Sequence, residues 1–382
     1  MDVFPAADPI PLPAPVWLFK ALHSVTLVLH FFSVHFLVGG LLLAIIWSFV
    51  GRSRKDAVLL NASGMVTHRL PIVMTYVINL GVPPLLFTQV LYGRGLYTSS
   101  VLIGAWWISV VALLIVSYTF LYIMSSRAES GRAAGWAGLI ALIVVLKIGF
   151  IYTNNMTLML RPDVWGAMYE NSAAGVQFHS GDPTMMPRWL YMILGSIGVA
   201  GIALLFIGMK STVDDGVAGL LTRWGGRLLA GFTVVQIALG FWVFRTQPEA
   251  VRAGLTSGAA YPAMMGLWAV SALAAIGLGV MVARRTRVHG GLVSIAALAA
   301  FLNVFAMVLL RDGIRDLTLA AAGFDVWARE VATNWSIVII FLLCFMLALV
   351  MMVWLISVVA RAKAQPESYA AFADGLVEKE VV

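Results

Sequence analysis

Charge is scarce in this chain. Of 382 residues only 11% are Asp, Glu, Lys or Arg, against 61% hydrophobic, and mean hydropathy is +0.93. A soluble domain carries roughly a quarter charged residues, so a water-soluble globular fold is excluded. Cysteine is nearly absent: Cys344 stands alone inside the last apolar run. That excludes an intrachain disulfide, and neither a CxxCH nor a zinc-type spacing exists. Any haem bound by this chain alone is therefore held without covalent attachment. Acidic residues avoid the apolar runs, and none is read at membrane depth. Proton pumps and proton-fed oxidases use intramembrane carboxylates as relays, so such chemistry would need water chains or partner subunits. No internal repeat is detectable, which removes the usual pointer to an inverted-repeat transporter.

What is present is a series of apolar runs longer than the roughly 18 residues that mark a membrane-spanning helix. They lie at about 17–50, 70–93, 101–125, 134–155, 188–209, 226–245, 259–283, 290–310 and 334–360. The chain thus reads as an all-α polytopic membrane protein of nine transmembrane helices whose first partner is the lipid bilayer. Basic residues concentrate in alternate loops: Arg52, Arg54 and Lys55; Arg127 and Arg132; Lys210, Arg223 and Arg227; Arg284, Arg285 and Arg287; Arg361 and Lys363. By the positive-inside rule these face the cytoplasm, giving N-terminus outside and C-terminus inside. The sequence pI near 9.7 comes from these loops, not from a phosphate-binding patch, so no nucleic acid is expected. The expected organisation is an extracytoplasmic tail over 1–16, a membrane domain over 17–361 and a cytoplasmic tail over 362–382, in a bacterial inner membrane. The N-terminal "MDVFPAADPIPLPAP" lacks the basic n-region of a signal peptide and reads as a short translocated tail. The long segments 156–187 and 311–333 then lie outside, where interaction chemistry is expected.

Polar groups inside the runs need an explanation, because lipid offers them no partner. Half of the six histidines, His23, His30 and His35, fall in "LHSVTLVLHFFSVHFLVGG" (22–40). His23 and His30 are seven apart, on one helix face and about 10 Å apart along the axis, too far to share one iron; His35 points to another side. Three imidazoles in one span, where the other spans have none, favour a cofactor over plain packing, and haem b is the natural candidate: an imidazole, an apolar slot, and cations for the propionates. His30 is the candidate iron ligand and His23 the candidate ligand of a second iron. Arg94, Arg311 and Arg315, with Arg161, Arg188, Arg245 and Arg252, are the outer-side cations available. Lys147, Gln89 and Asn303 are further polar residues within spans and join the candidate cofactor set. Gly81 beside Pro83 and Pro84 predicts a kink in the second span, either for packing or to shape a pocket. His179 in "VQFHSGDP" reads as a solvated loop residue, and His68 and His289 as interfacial.

The order of segments resembles subunit I of the cytochrome bd oxidase family, which also has nine spans with the N-terminus outside. "LHFFSVHFLVGGLLLAII" is similar to that family's first helix, whose "YHF" histidine ligates a haem; His30 is the matching position. "VLYGRGLYTSS" resembles the aromatic-glycine turn ending its second helix, "YTNNMTLMLRPDVW" occupies the place of "ANGWMQNP", and "LLRDGIRDL" that of "GRQPW". The chain departs from the family in its fifth span, which has no histidine, at Asn303 where a glutamate ligand is expected, in a third span without paired glutamates, and in a loop of only about 14 residues, "RTQPEAVRAGLTSG", where the quinol loop stands.

Together these readings point to a haem b electron-transfer subunit of a respiratory complex, partnered by a periplasmic c-type cytochrome docking on 156–187 and 311–333, with quinol left open. The alternatives are a haem-free anchor in which the histidines pack, a divergent terminal oxidase, and a small-solute transporter using Lys147 and the broken second span. A reporter fused at Val382 is expected to be active on the cytoplasmic side; activity confined to the periplasm would contradict the nine-span orientation.

Overall fold

The computed structural model describes residues 4, 10–210 and 212–361. Most of the expected N-terminal tail, Lys363 and the tail over 362–382 lie outside the described residues. The helices are α1 (Val16–Arg54), α2 (Ala57–Thr67), α3 (Leu70–Leu102), α4 (Gly104–Glu129), α5 (Gly135–Leu158), α6 (Trp165–Asn171), α7 (Met185–Gly208), α8 (Asp215–Arg245), α9 (Glu249–Thr256), α10 (Ala260–Ala283), α11 (Gly290–Ala321) and α12 (Trp335–Arg361). Among the described residues nine helical runs are long and apolar enough to cross a membrane, α2 and α3 forming one of them.

Local chemistry sets the helix ends. Lys55 closes α1 in the left-handed conformation (φ 53°), with Arg52 and Arg54 in the last turn against the negative end of the helix dipole. The Asp56 carboxylate caps α2 by accepting from the Leu59 amide at 3.1 Å, and Asp214 caps α8 in the same way. His289 caps α11, its Nδ1 accepting from the Leu292 amide at 3.2 Å. Helices approach most closely at glycines. A Cβ on Gly225 of α8 would stand 2.8 Å from the Gly201 carbonyl oxygen of α7, and one on Gly279 of α10 equally close to the Gly226 carbonyl. In lipid, where burial of apolar surface drives little, such backbone-to-backbone packing holds helices together.

α1 is the central element: it packs on α2, α3, α5, α7 and α11. α12 stands apart, with only 6% of its apolar window buried. Its start is tied by a short strap in which the Leu12 amide donates to Glu330 O and the Asn334 amide to Pro13 O (2.9 and 3.1 Å).

Three expectations change. The run 290–310 does not end there; α11 continues to Ala321, so "RDGIRDL" is helical and only part of 311–333 is loop. The segment 156–187 likewise contains a 3₁₀ turn (Pro162–Val164) and α6. The dihedral break in α3 falls at Tyr92 (φ −129°, ψ 27°), and Pro83 and Pro84 lie within the helix.

The continuation of α11 also buries two carboxylates within the protein. Lys20, 6% exposed, donates to Asp312 Oδ2 at 2.8 Å and to Asp316. The Tyr92 hydroxyl donates to Asp316 Oδ1 at 2.7 Å, and the Trp327 indole donates to Asp316 Oδ2 at 3.2 Å. This cluster ties α1, α3 and α11 at one end of the bundle, hereafter the Lys20 end. Removing one partner of a buried ion pair costs about 3–5 kcal/mol because the other charge is stranded. Lys20→Met is therefore expected to lower the thermal unfolding midpoint in detergent clearly, and adding Asp312→Asn and Asp316→Asn to recover much of the loss. An unchanged midpoint in the single variant would contradict the cluster's role.

Candidate functional site

The three α1 histidines meet three different environments. His23, 2% exposed, has Nδ1 3.1 Å from the Pro84 carbonyl oxygen and Nε2 3.3 Å from Arg315 Nη1. A carbonyl only accepts, so Nδ1 carries the proton and Nε2 accepts from the guanidinium. Both nitrogens of His23 are thus engaged, which leaves no lone pair for the second iron expected there. His30 Nδ1 lies 3.0 Å from the Val77 carbonyl oxygen, and the same logic leaves Nε2 as an open lone pair. Its ring rests against Gly81, where a Cβ would come within 2.8 Å of His30 Cε1. Gly81 therefore makes room for an imidazole.

His35 differs from both. It is 3% exposed, and neither Nδ1 nor Nε2 has a hydrogen-bond partner. Its ring stacks on Phe31 (centroids 5.9 Å, 11°) and lines a cavity bounded by Tyr191, Gly195 and Gly198 of α7, Thr233 and Gln236 of α8, Ala275 of α10, and Ala300, Asn303 and Met307 of α11. The cavity exists because small residues face it, and it has polar walls because amides line it. Gln236 Nε2 donates to Tyr191 O at 2.6 Å, and any side chain at Gly195 would strike that amide. Asn303 Nδ2 donates to Trp268 O (3.0 Å) and Ser271 Oγ (3.3 Å). Burying a polar group without a partner costs on the order of 1–3 kcal/mol, so the orphaned imidazole calls for a partner from the cavity, a water or a ligand. Among the described residues no three His, Cys, Asp or Glu side chains converge on one point. His35 can supply one ligand to a metal; the rest would have to come with the group it holds.

The expected cations fall into different roles. Arg315, 3% exposed, is committed to His23 and lies 3.8 Å from Asp312 Oδ1. The Arg94 guanidinium lies 5.2 Å from the Phe324 ring centroid. Arg311 follows Met307 by one turn of α11 and stands over Phe31 at 5.9 Å. Arg188 precedes Tyr191 on α7 and donates to Gln247 Oε1 at 3.1 Å. Lys147 meets aromatic faces, with Nζ 4.1 Å from the Trp106 centroid, 4.5 Å from Phe178 and 5.5 Å from Phe150. Cation–π attraction of this kind offsets part of the cost of an ammonium at depth. Gln89 is half-buried on α3, outside the cavity lining.

The loop histidine His179 is not fully solvated. Its backbone pairs with the Asn154 amide (3.0 and 3.4 Å), and its Nε2 is buried. Nearby, Arg161 binds Asp163 and the buried Asp182 (2.8 and 2.6 Å). Burial pushes the Asp182 carboxyl up, but the Thr184 hydroxyl and amide and the Arg161 guanidinium outweigh it and hold it below the usual carboxylate range. His68 pairs with Glu129 at 2.7 Å on the opposite, exposed end of the bundle.

Sequence reasoning named His35 and Asn303 but missed Tyr191, Thr233, Gln236 and Met307. Gln236 was findable as a lone amide in an apolar run, and Gly195 and Gly198 as small residues on one helix face.

No family model matches the chain, and no curated protein matches it in sequence. Among solved structures it is similar to bd oxidase from Geobacillus thermodenitrificans, with a TM-score of 0.70 and 12% identity, over 92% of this chain and 99% of that one. The chain thus has a bd-oxidase-like fold of membrane-spanning helices.

Proposed function

We propose that this chain is a membrane subunit of a respiratory complex that holds haem b and passes electrons. The observation that carries the reading is His35, a buried imidazole with two unpartnered nitrogens facing a cavity. A b-type haem brings its own four nitrogens, so it would ask only for the His35 imidazole and, across the same cavity, the Met307 thioether; the cavity itself, about 40 Å³, has room for a few waters and would have to open to admit a macrocycle. The absence of a covalent attachment motif leaves retention to axial ligation and pocket packing. Bound haem supplies a one-electron iron couple; the chain's residues hold it, exclude water and set its surroundings. His35 as iron ligand departs from the match by resemblance, which favoured His30.

A second centre at His30 has its own support. The Val77 carbonyl fixes its tautomer and leaves Nε2 to ligate, the arrangement in which metal-bound histidines are usually held. The partner is proposed to be a c-type cytochrome docking at the Lys20 end, which the positive-inside pattern puts on the periplasmic face. The short α9 segment, where the resembling family has its quinol loop, favours that partner over quinol.

The purified protein, with any partners that copurify, is expected to show protohaem in a pyridine haemochrome assay and a b-type spectrum. Changes in the outer shell of a metal site alone cost 10–100-fold in affinity; His35→Ala, which removes the ligand itself, should lower haem content by at least about tenfold. His30→Ala should leave one centre intact. No protohaem in the wild type would leave the anchor reading standing, and full haem content in His35→Ala would move the iron elsewhere.

A further inference from the structure

Lys20 and Lys147 both stand on membrane-spanning helices, and their surroundings differ. Lys20 has two carboxylates. Lys147 has aromatic faces: Trp106 of α4, Phe150 of α5 and Phe178 of the segment before α7. Ring faces attract the charge, but an ammonium also carries three N–H donors. Among the described residues no oxygen accepts from it and no carboxylate pairs with it. The rings are themselves fixed. The Trp106 indole donates to Val176 O at 2.8 Å, and its face stacks on Phe178 (centroids 4.9 Å, 21°), which meets Phe150 edge-on (5.2 Å, 88°). Lys147 is half-buried, so this box holds the ammonium without enclosing it.

Its place on the bundle decides what can meet it. Trp136, Leu139 and Ile143 are exposed and follow one face of α5, so they form a lipid-facing stripe, which Lys147 and Phe150 continue at helical spacing. Lys147 lies about 18 Å along α5 from Gly135. In a hydrocarbon core of about 30 Å its long side chain reaches toward the far interface. Trp106 marks that interface: it sits in the first turn of α4, and tryptophan favours the headgroup level. None of these groups lines the His35 cavity.

We propose that Lys147 is the headgroup end of a phospholipid site: its ammonium binds the phosphodiester of an anionic phospholipid, whose acyl chain lies along Ile143, Leu139 and Trp136. The phosphate brings the negative charge and the acceptor oxygens that the rings lack. The stripe brings an apolar track that runs from the ammonium into the bilayer. A free phosphate would have to leave water for a cation flanked by lipid-facing side chains, whereas a phospholipid already stands there. The site is independent of the haem reading.

The test uses the full-length protein in nanodiscs of phosphatidylcholine that contain phosphatidylglycerol with a photoactivatable diazirine on its headgroup. After irradiation the crosslinked peptides are mapped by mass spectrometry. Wild type is expected to crosslink around Lys147 and Trp106. Lys147→Met should weaken that crosslink about fivefold, the worth of one basic side chain against anionic lipid, and Lys147→Arg should keep it. Crosslinks to the basic loop at 52–55 serve as the internal standard for folding and insertion. Unlabelled phosphatidylglycerol should compete; inorganic phosphate and diacylglycerol should not. No crosslink around Lys147 in wild type, or an undiminished one in Lys147→Met, would overturn the site. Displacement by inorganic phosphate would make it a free-anion site, and displacement by diacylglycerol an apolar track in which the ammonium takes no part; either result overturns the proposal.

Discussion

An ammonium held between two carboxylates of one helix face fixes the geometry on which the rest depends. Lys20 sits near the start of α1 and Asp312 and Asp316 sit past the apolar run of α11, so their contact sets the register of these two long helices. Tyr92 joins from the point where α3 leaves helical geometry, and its ring lies against both Lys20 and Arg315. Buried ion pairs add little net stability over an apolar core, since desolvation offsets the Coulomb gain. Here the benefit is orientation. With α1 fixed against α11, its histidines must face α3, α7, α8 and α11 in one rotational setting.

Inside a bilayer every polar group needs a partner supplied by the protein or its ligands, and that rule separates three histidines that look alike in sequence. His23 is satisfied by Pro84 and Arg315, His30 is half satisfied by Val77, and His35 is not satisfied at all. The cations sort by the same rule. Arg315 is engaged by His23 and Asp312 and Lys147 by aromatic faces, while Arg188 donates to Gln247 and Arg311 stands over Phe31.

The spans were legible in the sequence because hydropathy over a helix length is a local property, and the apolar runs recur as helices with ends shifted by only a few residues at most positions. The extension of α11 was not legible, since "RDGIRDL" is charged and reads as loop until Lys20, distant in sequence, neutralises it. The break at Tyr92 was hidden for a similar reason. Two prolines and a glycine marked the wrong place: Pro83 and Pro84 lie within the helix, and Gly81 instead makes room for the His30 ring. The cluster of histidines pointed to α1 as the functional helix. Choosing among them needed the cavity, which is assembled from five helices and has no linear signature.

The central claim is that the His35 cavity holds a cofactor. An experimental density map of the purified full-length protein tests this directly, because it shows the space among α1, α7, α8, α10 and α11 without relying on activity. The account predicts flat, strong density bonded to a ring nitrogen of His35. Density for water alone, with His35 hydrogen-bonded to it, would contradict the account.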